Sequence, residues 1–333
     1  MANPLSVIAF KASCRYVRNY FANWPLAVSF EVTHSCTANC RHCDKGGIIK
    51  DEALATPEQY KAIYEQIRPI VAQVSGGEPL LRDDLLDIIK ALKNPGDLPY
   101  IVFITNASLL TLEKYKQLKQ AGVDQFGISL DFPDERHDGN RRIPGLYQHL
   151  NELLPRISKI GYNDIALIVA ITRENLPYLI DIVRKAQEWN IAVNFSMYTK
   201  LRTGDESFFI SSEKDIALFR QTVDKLIKLR ENGGILSSEY VLRRSIEFFE
   251  KGAIANCQAG KRSLVINPDG SLSPCAMKSE VRYWSQRELV ENFSKNNNCG
   301  ECYVSLRANT EKGIWHTLKD SFSYYASIKN QQR

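Results

Sequence analysis

Seven of the eight cysteines in this chain fall into two sets whose spacing suits metal ligands. Cys36, Cys40 and Cys43 sit in the stretch VTHSCTANCRHCDKGG, residues 32–47, beside His34 and His42. Cys257, Cys275, Cys299 and Cys302 follow much later, with 17, 23 and 2 residues between neighbours. Three thiolates on one short loop can hold three irons of a four-iron cluster and leave the fourth open to an outside ligand. With a histidine added, they could instead close a tetrahedral zinc site. Four thiolates can close a site completely. A zinc ribbon prefers two C-x2-C knuckles, and only Cys299 with Cys302 makes one. Cys14, the thiol left over, reads as a small, buried apolar residue.

The elements that must carry these loops repeat with a two-part beat. Short β-branched or apolar runs (AVSFEVT at 27, IVAQVSG at 70, YIVFIT at 100, QFGISLD at 125, IALIVAIT at 165, IAVNFSM at 191) alternate with helical periodicity near 57–69, 82–93, 111–121, 144–160 and 175–189. Such alternation predicts parallel βαβ units of one hand. The fold class is therefore α/β: a partial (β/α)6 TIM-like barrel followed by a small β-hairpin and helix module. In such barrels the working groups sit where strands end. The triple-cysteine loop follows the first strand, SGGEP (75–79) the second and TNAS (105–108) the third, while SLD (129–131) ends the fourth. Five segments are expected: an N-terminal amphipathic helix at 1–25, the barrel core at 26–200, a helical linker at 201–254, the second cysteine module at 255–305, and a helical tail at 306–333. In the linker, Ser212 caps a helix carrying Ile216, Phe219, Val223 and Leu226 on one face.

The C-x3-C-x2-C spacing, with His42 just before the last cysteine, resembles the signature of the radical SAM superfamily, and SGGEP resembles that family's GGE motif. The resemblance implies a four-iron four-sulfur cluster on Cys36, Cys40 and Cys43 whose open iron is chelated by S-adenosylmethionine. Gly76, Gly77 and Glu78 would fix the methionine amino group. Asn106 and Ser129 stand where family members contact the methionyl carboxylate or ribose; taken alone, each reads as a turn or cap residue. Asp131 and PDERHDGNRR (133–142) also resemble family loops. The later cysteines resemble the "twitch" module, a shortened relative of the SPASM domain, which implies an auxiliary four-iron four-sulfur cluster on Cys257, Cys275, Cys299 and Cys302. The two resemblances cover residues 26–200 and 255–305.

A full SPASM domain brings about seven cysteines, and many peptide modifiers carry a separate N-terminal recognition domain. Neither pattern is present, which disfavours a peptide substrate. Molybdenum-cofactor enzymes of this kind end in Gly-Gly, whereas this chain ends in NQQR. The expected activity is oxidation, by dehydrogenation or hydroxylation, of an unactivated C–H position in a small metabolite, such as a bacteriochlorophyllide-type tetrapyrrole or a lipid. The auxiliary cluster would take up the electron. A flavodoxin- or ferredoxin-type donor would supply the reducing electron. No catalytic acid or base stands out. The alternatives are a transferase or cyclase without net oxidation, a peptide-modifying maturase, and a non-catalytic iron or zinc protein.

Composition narrows the remainder. The 333 residues are 44% apolar and 24% charged, with a net charge of +5 spread over 43 basic and 38 acidic residues. This is a globular composition without the clustered basic block of a nucleic-acid groove. No apolar run is long enough to span a membrane, and no secretory leader is evident, so the expectation is a cytoplasmic protein with reduced thiols. Val7, Phe10, Cys14, Val17 and Phe21 recur at helical steps beside Lys11, Arg15 and Arg18, with Trp24 nearby. That pattern suits a helix packed across the barrel's base, or one making peripheral membrane contact.

Overall fold

A computed structural model describes residues 4–93, 97–317 and 320. All six predicted strands form: β1 (Ala27–Thr33), β2 (Val71–Gly76), β3 (Tyr100–Thr105), β4 (Gln125–Ser129), β5 (Ile165–Ile171) and β6 (Ala192–Met197). Each pairs in parallel with the next. The helices between them are α2 (Pro57–Ile67), α3 (Leu85–Leu92), α4 (Leu112–Ala121), α5 (Arg136–Arg141), α6 (Leu146–Ser158) and α7 (Leu179–Glu188), preceded by α1 (Pro4–Phe21). Starts are fixed by side chains that satisfy otherwise unpaired N–H groups: Thr56 makes a full capping box with Gln59, and Thr111 accepts from the Lys114 N–H.

The predicted hairpin also forms, as β7 (Ser263–Ile266) and β8 (Leu272–Ser273) around Pro268-Asp269-Gly270. It joins the sheet itself, because β7 runs parallel to β1 on the edge opposite β2. The result is one eight-stranded sheet in the order β6-β5-β4-β3-β2-β1-β7-β8, open between β6 and β8. The outer edge of β6 is partly covered by Ile235, which bridges Val193, and by the Ser237 hydroxyl, which accepts from the Phe195 N–H. Between barrel and hairpin lie α8 (Glu213–Arg230), capped by Ser212, and α9 (Glu239–Lys251), capped by Ser238. Phe219, Val223 and Leu226 of α8 are buried as expected. Two short helices, α10 (Gln286–Leu289) and α11 (Ser305–Thr310), complete the described chain. Most of the 306–333 tail lies outside the described residues.

Strand alternation separates the scaffold from the site. Val28, Phe30 and Val32 of β1 join the core beneath the helices, whereas Ala27, Ser29 and Glu31 face the barrel's interior. The same alternation turns Gln73 and Ser75, Gln125 and Ser129, and Asn194 and Ser196 inward. The apolar core thus lies outside the sheet, and a partly polar lumen lies within it.

The N-terminal helix departs from expectation. It does lie at the base, where Arg15 reaches the Tyr64 hydroxyl and the Pro69 carbonyl, and Asn19 reaches the Pro25 and Arg68 carbonyls. The face that packs is thus the polar one. Phe10, Cys14, Val17 and Phe21 are turned to solvent, so Cys14 is exposed rather than buried. The reason is local: the base of the barrel offers backbone carbonyls, which polar side chains satisfy and apolar ones cannot. Trp24 is half-buried and donates to the Ile67 carbonyl, so it anchors the turn instead of serving an interface.

Candidate functional site

The first cysteine loop leaves β1 at Thr33 and is stapled at both ends. Glu52 accepts from the Thr33 hydroxyl and the His34 N–H, both at 2.5 Å, and the Cys36 N–H donates to the Gly47 carbonyl at 2.8 Å. Backbone N–H groups of Ala38 and Lys45 point at the Cys36 and Cys43 sulfurs, 3.4 and 3.5 Å away. Burial pushes the Cys36 thiol up to about 11, with Cys40 and Cys43 adding to the effect, and burial raises Cys40 as well. Thiols in this setting become thiolates only beside a positive centre.

The GGE stretch has a clear physical task. A Cβ on Gly76 would meet the Thr33 carbonyl oxygen at 2.1 Å, and one on Gly77 would meet the Ser35 oxygen at 2.2 Å. Gly76 also adopts a φ of +131°. Only glycine permits the close approach by which the Gly77 and Glu78 N–H groups bond to the Thr33 and Ser35 carbonyls. Gly76 and Gly77 line the cavity below. Glu78 does not: it is fully buried, and its carboxylate accepts from the Leu80 N–H, the Thr105 hydroxyl and the Asn106 N–H at 3.1, 2.7 and 2.8 Å. In this geometry it ties the end of β3 to the end of β2. Asn106, held in this way, lines the cavity and donates to the Thr37 hydroxyl and toward the Cys36 sulfur, at 3.0 and 3.8 Å. Ser129 lines the same cavity.

A buried polar network, of which the sequence marks only Asp131 individually, braces the loop from the other side. The Asn39 and Arg41 N–H groups, flanking Cys40, donate to the Arg141 and Asn140 carbonyls. Arg141 reaches the Cys40 sulfur at 3.6 Å and the Asp131 carboxylate at 2.7 Å, and Asn140 donates to Asp131 at 2.8 Å. Burial works against a charge on Asp131, yet Arg141, then His42 and His137, hold it below the usual carboxylate range. The available signal was the polar run PDERHDGNRR after the fourth strand, but spacing alone cannot say which of its charges turns inward.

The second set is gathered by loops. Cys275 follows β8, Cys257 precedes β7, and Cys299 and Cys302 flank a tight turn. Burial raises the Cys275 thiol to about 12 and Cys257 to about 11, with the sister thiols acting on both. Gly300 sits so near the Ile254 carbonyl, 2.9 Å from a hypothetical Cβ, that a side chain there would force the loops apart. Arg307 of α11 draws the loops together, donating to the Cys302, Ile254, Ala255 and Gly300 carbonyls and pairing with Glu311. The β6 end is tied in through Thr199 to the Glu301 carbonyl and through Ser196 to the Ser305 N–H.

Both sets open onto one cavity of about 600 Å³, lined by Cys36, Cys40 and Cys43 on one side and Cys257, Cys275 and Cys302 on the other. Glu31 is the one carboxylate among its lining residues, and its Oε2 lies 2.7 Å from His34 Nε2.

Residues 30–186 match the model of the Radical SAM superfamily. The chain carries a radical SAM domain. An AdoMet-dependent heme synthase of Oleidesulfovibrio alaskensis is 29% identical over 174 residues, 50% of this chain and 43% of that protein. A PqqA peptide cyclase of Bradyrhizobium diazoefficiens is 28% identical over 289 residues, 81% of this chain and 71% of that one. The chain spans about half the length of the first of the curated relatives it matches. Among solved structures, Streptococcus suis SuiB bound to S-adenosylmethionine superposes with a TM-score of 0.62 at 16% identity, covering 83% of this chain and 66% of that one. That likeness is one of fold.

Radical SAM enzymes use a four-iron four-sulfur cluster and S-adenosylmethionine, and the residues here fit both. Three thiols line the cavity, those of Cys36 and Cys40 buried and that of Cys43 half-buried, with backbone N–H groups aimed at two of the sulfurs. Arg141 Nε is a buried donor without a partner in the same wall. The C-terminal cysteines likewise fit an auxiliary cluster. No helix among the described residues is long and apolar enough to cross a membrane.

Proposed function

We propose that this radical SAM enzyme oxidises an unactivated C–H position of a small metabolite held between its two cysteine sets. The observation that carries this reading is the single cavity bordered by both sets. When bound, the first cluster with S-adenosylmethionine supplies hydrogen-atom abstraction, and the second cluster supplies a place for the electron that net oxidation releases. Cys36, Cys40 and Cys43 hold the first, and Cys257, Cys275, Cys299 and Cys302 the second. Backbone groups of Gly76 and Gly77, with Asn106 and Ser129, orient the S-adenosylmethionine. Glu78 keeps that wall in register from behind. The apolar lumen residues Val102, Ile104, Ile168 and Val265 exclude water, while Gln73, Gln125 and Asn194 offer hydrogen bonds to polar groups of the substrate. Oxidation also releases a proton, and Glu31 Oε1 takes it, since the other oxygen is engaged by His34. The reducing electron comes from a flavodoxin- or ferredoxin-type donor. The exposed stripe of α1 makes peripheral contact with a lipid surface.

A second reading rests on the relatives: the one covering 81% of this chain is a peptide cyclase. The two separate cleanly. Anaerobically reconstituted enzyme is incubated with S-adenosylmethionine, reductant, and either the small-molecule or the peptide fraction of a cell extract. Deoxyadenosine released together with a small product lighter by two hydrogens, or heavier by one oxygen, is expected. A product confined to the peptide fraction overturns the metabolite reading, and one of unchanged mass overturns net oxidation.

A further inference from the structure

The two cysteine sets share a feature: beside each lies a buried arginine with its own carboxylate, Arg141 with Asp131 and Arg307 with Glu311. The two arginines are used differently. Arg307 spends its donors on carbonyls and comes only within 4.0 Å of the Cys302 sulfur. Arg141 makes one bond to sulfur, at 3.6 Å to Cys40, and one to Asp131, and its Nε remains a free donor. The hydrogen bonds to the Cys36 and Cys43 sulfurs come from neutral groups, the backbone of Ala38 and Lys45 and the Asn106 amide. Among the described residues Cys40 alone of the three receives its hydrogen bond from a cation; Arg202, paired with Asp44, acts on Cys43 through charge without a hydrogen bond to its sulfur.

We propose that the Arg141–Asp131 pair sets the reduction potential of the cluster held by Cys36, Cys40 and Cys43. The inference rests on the ligand assignment made above. Reduction adds one negative charge to the cluster. A guanidinium bonded to a ligand sulfur favours that added charge, and a carboxylate 2.7 Å from the same guanidinium opposes it. Both groups are withdrawn from water, where charges act on one another more strongly than at the surface. The pair is therefore a balance with two arms of opposite sign. Asp131 is fixed by Asn140 and by the Ala170 N–H, and the backbone bonds on both sides of Cys40 hold the sulfur in place against the guanidinium.

The test is redox potentiometry, monitored by electron paramagnetic resonance, on anaerobically reconstituted protein, with Cys275→Ala used once to assign the signals. Arg141→Gln is expected to make the first cluster harder to reduce by about tenfold in the equilibrium constant, about 59 mV for one electron. Asp131→Asn is expected to make it easier to reduce by a similar factor, and Arg141→Lys, which keeps the charge, to stay near wild type. The second cluster's potential should not move in any of them. A purely structural role would not produce shifts of opposite sign. Unchanged potentials, shifts of one sign in both variants, or equal shifts at both clusters overturn the proposal. Iron and sulfide content, measured first, separates this from the assignment beneath it: a wild type that builds no cluster on the three cysteines overturns both. If Arg141→Gln takes up no iron, Asp131→Asn decides, since it leaves the cation at Cys40.

Discussion

The two cysteine sites face one cavity but are built on different principles. The first is braced by the barrel: its loop continues the β1–β2 hydrogen bonding through Gly77 and Glu78, and a network from the end of β4 holds its far side. The second is built from three loops, two of which, 254–255 and 300–302, are drawn together by one side chain, Arg307, whose donors reach four carbonyls. The rigid site suits chemistry that depends on sub-ångström placement of the reacting carbon. On the proposed function the looped site needs only to hold a cluster near the substrate, and an electron tolerates looser placement than a hydrogen atom does.

The sharpest way to break this division is to remove one cysteine from each site. Cys40→Ala should abolish deoxyadenosine and product together. Cys275→Ala should leave deoxyadenosine while oxidised product falls sharply, provided circular dichroism shows that the module still folds. Iron should drop from about eight to about four per chain in each case. If folded Cys275→Ala protein keeps the wild-type ratio of product to deoxyadenosine, the second site is structural and the division of labour is wrong.

The next effect is on the framework. Arg307→Met leaves the largely buried Glu311 without its cation and the Cys302, Ile254 and Ala255 carbonyls without this donor, while Gly300 keeps the Ile254 N–H, a loss of about 3–5 kcal/mol. Thermal unfolding should begin earlier, and iron should be lost from the second site first. Gly77→Ala strikes the other brace. Because backbone rather than a flexible side chain must move, about 3 kcal/mol is expected, with iron lost from the first site and kept in the second. Should either substitution empty both sites equally, the two are not independently braced.

These contrasts were only partly legible in the sequence. Strand positions and both cysteine sets could be read because alternation and spacing are local. The GGE stretch could be read as a motif, but its physical cause, two backbones in contact, needed the partner loop in place. Glu78 illustrates the limit: sequence marks an acid at a strand end, and only the fold reveals that three donors already claim it. Arg141 and Asp131 sit in a run of charged residues whose inward members are chosen by tertiary packing. Cys14 is exposed, against its pattern, for a related reason. Helical periodicity identifies an apolar stripe, yet which face of α1 turns inward is set by what the barrel's base offers, and it offers carbonyls.

That helix provides the smallest effect and the control for the rest. Phe10 and Phe21 are 69% and 72% exposed, so Phe10→Ser with Phe21→Ser should change stability by no more than about 0.5 kcal/mol each. Neither Phe10 nor Phe21 lines the cavity, so both sites should keep their iron, although α1 itself meets the C-terminal part of the chain as well as the base, through Tyr16 with Thr317 and Tyr20 with Arg262. What should change is vesicle binding. Two of the three basic residues near the stripe are engaged by the protein, Lys11 with Asp97 and Arg15 with Tyr64 and the Pro69 carbonyl. Little charge remains for anionic headgroups, and contact must come from the apolar side chains. Flotation of the wild type should therefore depend only weakly on salt, and it should be lost in the double variant. Wild-type protein that stays with the soluble fraction in both neutral and anionic vesicles rules out the lipid contact, and a double variant that loses iron from either site shows that the base is not independent of the rim.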